Sequence, residues 1–266
     1  VARRDLNGTV VLITGAAGGL GAAIARRFAA DGSRLALLDI DAERLTEAAA
    51  SFPGAVPIVC DLTDPAACER AVADVTERFG GIDVLINNAG MTHRSAFVDT
   101  DPAVIRKVME VNYLGSAYIT RAALPSLIER RGAIVVVTSV AGFAPVLGRT
   151  GYAGSKHALH GLFDTLRAEI RPEGVDVTVI SPTFVDTDMQ QRALGADGEV
   201  TDHPQSRVGD QVDPGEVADK IYRAVERRKR WVVIGSIGHV TRIMTAIAPG
   251  LYERMMARSL RTELER

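Results

Sequence analysis

A chain of 266 residues, 47% hydrophobic and 24% charged, has enough apolar mass for one large α/β domain with a substantial core, and a single domain over 1–266 is expected. Its formal charge of −2 creates no field that would draw it to nucleic acid, so a nucleic-acid partner is not expected. Two cysteines, Cys60 and Cys68, fit a reducing compartment rather than a disulfide framework.

The stretch before the first apolar run has basic residues but no secretory h-region, and nowhere do about 18 apolar residues follow one another. A cytoplasmic protein is expected, and no metal site is predicted. Short apolar runs at 10–13, 35–38, 56–59, 84–86, 134–137, 175–180 and 231–234 alternate with helix-forming segments. Most are apolar at consecutive positions, which predicts strands buried on both faces of a parallel sheet. The fold class is therefore α/β, a doubly wound Rossmann arrangement of seven parallel strands with helices on both faces. Helices are predicted at 20–31 and 41–51, from Asp64-Pro65 to about Phe79, from Asp101-Pro102 to about Arg130, and at 151–171, the Asp-Pro pairs supplying a cap and a first-turn proline. Between Thr183 and Asp213 about thirty residues, with Gly195, Gly198 and Pro204, hold one short helix near 188–194. A loop of that length in a compact domain is usually functional and is read as the substrate loop, 183–213.

The first strand runs into Thr14-Gly15-Ala16-Ala17-Gly18-Gly19-Leu20-Gly21 and then a helix. Side-chain-free backbone at a helix start is where a dinucleotide pyrophosphate sits. Asp39, at the end of the second strand, can accept hydrogen bonds from the adenosine ribose and would repel a 2′-phosphate. With no Arg or Lys between Gly15 and Gly21, NAD is favoured over NADP; Arg34 and Arg44 are the nearest basic candidates for the opposite view. Asn87-Asn88-Ala89-Gly90 follows the fourth strand and suits backbone lying against a cofactor, or a turn held by asparagine side chains. Ser139 ends the fifth strand, at the carboxyl edge where ligands bind in such sheets. Tyr152 and Lys156 stand four apart on one helical face, and a neighbouring ammonium favours the phenolate.

These motifs resemble the short-chain dehydrogenase/reductase family in its single-domain branch. The matching pieces are Gly15, Gly19 and Gly21, Asp61, Asn87-Asn88-Ala89-Gly90, Asn112, Ser139, Tyr152 and Lys156, in family order. The resemblance implies strand order 3-2-1-4-5-6-7 and nicotinamide-dependent oxidation or reduction. It makes Tyr152 the general acid/base and Lys156 the residue that lowers its pKa and holds the nicotinamide ribose. Ser139 positions the reacting oxygen, and Asn112 anchors a water in a proton relay. Cofactor contacts are implied for Gly15, Gly18, Gly19, Leu20, Gly21, Asp39, Ile40, Asp61, Leu62, Asn88, Ala89, Gly90, Tyr152, Lys156, Pro182, Phe184, Val185 and Thr187. A homodimer or homotetramer through 102–130 and 151–171 is implied too. One departure stands out: relatives usually have Pro-Gly after the sixth strand, and here Ser181-Pro182-Thr183-Phe184 is expected to narrow the space beside the nicotinamide or alter the backbone there.

Ser139, Phe143, Val146, Leu147, Phe184 and Met189 are the candidate substrate pocket, which makes a lipophilic alcohol or ketone the expected substrate. His93 could titrate near neutrality, with no catalytic role assigned. Arg94 is read as a solvated surface residue in preference to a carboxylate or phosphate partner. The tail 236–266 is unusually apolar and follows Arg227-Arg228-Lys229-Arg230; a lid or subunit contact is favoured over an interfacial membrane anchor. The leading reading is an NAD-dependent oxidoreductase on a secondary alcohol or ketone. A non-catalytic NAD(H)-binding sensor and a non-redox dehydratase or epimerase on the same scaffold are its alternatives.

Overall fold

The computed structural model describes residues 3–202, 209, 211–259 and 261; Pro204, Glu263 and Glu265 lie outside the described residues. In chain order the elements are β1 (Val10–Thr14), α1 (Gly19–Ala29), β2 (Arg34–Asp39), α2 (Ala42–Ala50), β3 (Val56–Val59), α3 (Pro65–Phe79) and β4 (Val84–Asn87). They continue with α4 (Pro102–Met109), α5 (Gly115–Glu129), β5 (Ala133–Val137), α6 (Thr150–Ile170), β6 (Asp176–Pro182), α7 (Pro214–Glu226), β7 (Trp231–Ile234), α8 (Ser236–Ile247) and α9 (Pro249–Ser259). All seven strands pair in parallel in the order β3-β2-β1-β4-β5-β6-β7, the expected doubly wound sheet in a single domain.

The consecutive apolar residues of the strands divide between two cores. Val11 and Ile13 of β1 face α1 and α7 together with Phe28 and Ile221. Val10 and Leu12 face the other side, with Val75 of α3, Ile119 of α5 and Phe163 of α6. Burial on both faces is why each strand reads as a solid apolar run.

Asp41, Asp64, Asp101 and Asp213 each accept a backbone N–H in the first turn of α2, α3, α4 and α7, and three of those helices begin with proline. Helix α1 is built otherwise. Its cap is Gly18, with no side-chain acceptor and no acid in the first turn, so its donors face the sheet edge uncapped.

The single helix expected from Asp101 to Arg130 has a widened turn in its middle. Residues Glu110–Leu114 are π-helical between α4 and α5, and the turn carries the fully buried Asn112. One inserted residue redirects a helix face without breaking the helix, which no apolar periodicity foretells. The long segment after β6, expected as the substrate loop, holds a 3₁₀ turn at Asp188–Arg192. It is tied down by Arg94 N to Leu194 O at 2.7 Å, Leu194 N to Thr92 O at 3.0 Å, Asp101 N to Ala196 O at 2.8 Å and Val212 N to Phe184 O at 2.8 Å.

Candidate active site

The carboxyl ends of β1, β4, β5 and β6 open into one continuous cavity of about 630 Å³. At one end is the glycine turn. Gly15 has φ +65°, and a Cβ there would stand 2.8 Å from Ala89 Cα; one on Gly21 would stand 2.1 Å from Gly15 O. Thr14 Oγ1 accepts the N–H groups of Asn88 and Ala89, both at 3.1 Å, and Asn88 Nδ2 donates to Thr14 O and Gly15 O at 3.0 and 3.1 Å. The turn and the Asn-Asn-Ala-Gly segment thus form one rigid floor. Asp39 Oδ2 accepts from Ala17 N at 3.0 Å and Oδ1 from Asp41 N at 3.2 Å, which fixes its carboxylate in the wall. Asp61 Oδ1 takes the N–H and hydroxyl of Thr63.

At the other end stand Tyr152, Ser139 and Lys156. Ser139 Oγ accepts Ala141 N at 3.2 Å, and the Ser139 hydroxyl lies close enough to the Tyr152 phenol to act on it. Burial holds the Tyr152 phenol above its ordinary pKa, while the Ser139 hydroxyl and the positive charge of Arg149 pull it back down. Lys156 donates from Nζ to Val137 O at 2.9 Å, and Nζ lies 5.6 Å from the Tyr152 ring centroid. Its buried ammonium titrates at about 8, below the ordinary lysine value. The groups that lower the Tyr152 pKa are Ser139 and Arg149 rather than the expected Lys156, and burial prevails over both.

Asn112 does not line the cavity. Its Oδ1 accepts Met91 N at 2.8 Å, and its Nδ2 donates to Met91 O at 3.0 Å and Ser155 Oγ at 2.9 Å. The side chain binds the π-helical turn to the Asn-Asn-Ala-Gly segment and to α6. His93 is fully buried, with Nε2 accepting Gly151 N at 2.9 Å and Nδ1 next to Ser95 Oγ at 3.2 Å. An imidazole that accepts at Nε2 is neutral, and burial together with Arg149 lowers its pKa to about 4. It caps the helix that carries Tyr152 and does not titrate near neutrality. Arg94 is buried rather than solvated and donates to Gln190 O at 2.5 Å.

Every residue for which a cofactor contact was expected lines the cavity, as do Ser139, Val146, Phe184 and Met189 of the expected substrate pocket. Phe143 and Leu147 do not line it. Phe143 turns away to meet the edge of Trp231, ring centroids 5.5 Å apart. Thr183 lines the cavity, but its side chain packs where a Cβ on Gly235 or Gly238 would stand, so its bulk is absorbed by two glycines at the start of α8. Sequence reasoning passed over Arg149, one turn before Tyr152, which lies in the wall 6.0 Å from the Phe184 ring and donates to Gln190 Oε1 at 3.2 Å. The tail, expected as a lid or subunit contact, closes the far wall through Met244, Tyr252, Met255 and Met256, none of which was among the expected pocket residues.

The family model for short chain dehydrogenase matches residues 9–197, which include the glycine turn, Ser139, Tyr152 and Lys156. This chain belongs to the short-chain dehydrogenase family. The dehydrogenase/reductase SDR family member 7B of Bos taurus is 39% identical over 273 residues, covering 98% of this chain and 84% of that one. Two solved short-chain dehydrogenases superpose over nearly the whole chain. One, from Burkholderia phymatum in complex with NAD, has a TM-score of 0.83 at 23% identity and covers 93% of this chain and 96% of its own. The other, from Burkholderia cenocepacia in complex with NADP, has a TM-score of 0.82 at 25% identity and covers 95% and 99%. A short-chain dehydrogenase is an oxidoreductase that uses a nicotinamide cofactor, and the uncapped α1 with its glycine floor is the part of this chain that fits the pyrophosphate.

Proposed function

We propose that this short-chain dehydrogenase moves a hydride between NAD and a lipophilic secondary alcohol or ketone, with Tyr152 as general acid/base. The observation that carries the reading is that Tyr152, Ser139 and Lys156 open on the same cavity as the glycine floor. Gly15, Gly18, Gly19, Leu20 and Gly21 would hold the pyrophosphate side, Asp39, Ile40, Asp61 and Leu62 the adenosine, Asn88, Ala89, Gly90, Pro182, Phe184 and Val185 the remainder, and Thr187 the nicotinamide carboxamide. Once bound, the nicotinamide supplies or accepts the hydride.

The protein's part is to place and move a proton. The Tyr152 phenol gives its proton to the substrate oxygen during reduction and takes one during oxidation, while Ser139 Oγ holds that oxygen within reach. Lys156, in the wall beside them, holds the nicotinamide ribose and favours the phenolate as it forms. Asn112 keeps the backbone at Met91 in place and is assigned the anchoring of the relay water.

Support for NAD over NADP comes from Asp39, whose carboxylate is fixed in the adenosine wall by two backbone N–H groups. The nearest cation, Arg44, is already engaged by Asp188 Oδ2 at 2.8 Å and Ala17 O at 3.3 Å. Support for a lipophilic substrate comes from Met91, Val146, Phe184, Met189 and Met244 in the wall. A homodimer or homotetramer through α4, α5 and α6 completes the proposal.

The test is steady-state turnover of NAD and NADP across secondary alcohols of increasing chain length. The expected result is a kcat/KM that rises several-fold per added methylene, about 0.8 kcal/mol for each one buried, and at least about tenfold preference for NAD, the effect of one unfavourable charge contact. No gain with chain length, or an NADP preference, would contradict the respective half.

A further inference from the structure

Helices α8 and α9 are apolar on two sides. Ile237, Thr241 and Met244 of α8 and Tyr252 and Met256 of α9 face the cavity. Next to that face Val240, Ile243 and Ile247 of α8 and Leu251 and Met255 of α9 are between 50% and 76% exposed. Their spacings of three and four residues put them in one stripe on each helix. Exposed apolar side chains grouped in this way mark an interaction surface.

Two observations select the occupant. Val240 and Met255 belong both to the exposed stripe and to the cavity wall, so the patch is the rim of the cavity mouth. A second protein seated there would cover the mouth, whereas a lipid surface would leave it open to a lipophilic substrate dissolved in that surface. The second observation is charge. Arg242, Arg254 and Arg258 are exposed on these two helices against the single acid Glu253, in a chain whose overall charge is −2. Two copies meeting through this face would bring like charges together, while an anionic surface would attract them. Arg227-Arg228-Lys229-Arg230 is not part of the patch: it precedes β7, where Arg228 pairs with Asp176 and Arg230 faces Asp164.

We infer that the exposed face of α8 and α9 docks on anionic lipid surfaces, laying the mouth of the cavity against the bilayer. Among the described residues no helix is long and apolar enough to cross a membrane, so the contact is interfacial and reversible, made by apolar side chains in the acyl boundary and arginines at the headgroups. The delivery of substrate through that contact rests on the lipophilic-substrate reading; the docking itself does not.

The test is density-gradient flotation of the full chain with phosphatidylcholine vesicles, with and without about a quarter phosphatidylserine. Intact protein should float with the anionic vesicles at least about tenfold more than with neutral ones, and less as salt rises. The variant I243E/I247E/L251E changes only exposed side chains outside the cavity wall. It should stay at the bottom of the gradient while keeping the intact protein's thermal midpoint and its mass by light scattering. Intact protein that fails to float, or a variant that floats equally well, overturns the inference. So does a mass that falls in the variant, which would make the face a contact between copies. Flotation without turnover of any lipophilic alcohol would sustain the surface and sink the substrate reading.

Discussion

His93 caps the helix that carries Tyr152 and Arg149 pulls the Tyr152 pKa down, so both bear on the proposed chemistry there. His93 titrates at about 4 in the folded chain against 6.5 for the free side chain, so the unfolded state binds its proton more tightly. Stability from this group is complete above about pH 6.5 and is lost as pH falls through 4, a total of about 3 kcal/mol. In His93→Gln the slope of thermal midpoint against pH over that window should flatten, with some loss of midpoint at neutral pH. Arg149 lowers the Tyr152 pKa, so Arg149→Leu should raise it. With Tyr152 as the proposed base, kcat/KM in the oxidation direction should rise with pH, and that alkaline limb should move upward in Arg149→Leu; an unmoved limb would remove Arg149 from the electrostatics of the site. Neither role was legible in the sequence. His93 reads as a titratable residue until Gly151 N is seen on its Nε2, and Arg149 as a loop arginine until α6 is seen to begin at Thr150.

At the scale of elements, strands and capped helices were legible because their causes are local. The solid apolar runs and the Asp-Pro pairs each specify one element without reference to the rest of the chain. The π-helical turn was not, because it is fixed by Asn112 reaching the backbone of Met91, twenty-one positions away. Phe143 was misplaced for a similar reason: which way a loop side chain turns depends on a distant partner, here Trp231. Between α2 and the substrate loop, Arg44 and Asp188 form a tie beside the glycine turn, with Arg192 donating to the same Asp188 oxygen at 2.7 Å. Asp188→Asn should weaken this half-exposed link and raise the NAD dissociation rate by a few-fold, about 0.5–1 kcal/mol, as read by stopped-flow fluorescence; an unchanged rate would show that the tie does not restrain the cofactor. At the glycine floor the consequence is larger. Gly21→Ala drives a Cβ onto Gly15 O, so NAD binding should be lost along with about 2 kcal/mol of stability.

For the whole molecule, one cavity joins the adenosine wall at Asp39 to the apolar far wall supplied by α8 and α9, and the account stands on both ends serving a single reaction. The sheet order and the single domain follow from the sequence pattern and the family. Substrate shape does not, because its walls come from the substrate loop and the tail, where tertiary contacts rather than periodicity decide which residues face inward. Light scattering should give the mass of a dimer or tetramer, and a monomer would remove the proposed assembly through α4, α5 and α6. The most direct test of the central claim is Tyr152→Phe, measured for NAD binding by fluorescence titration and for turnover by nicotinamide absorbance on a panel of secondary alcohols. NAD affinity should stay within about twofold of the original while turnover falls by at least about a hundredfold, the lower end of what a general acid/base contributes. Retained turnover in that variant would contradict the claim.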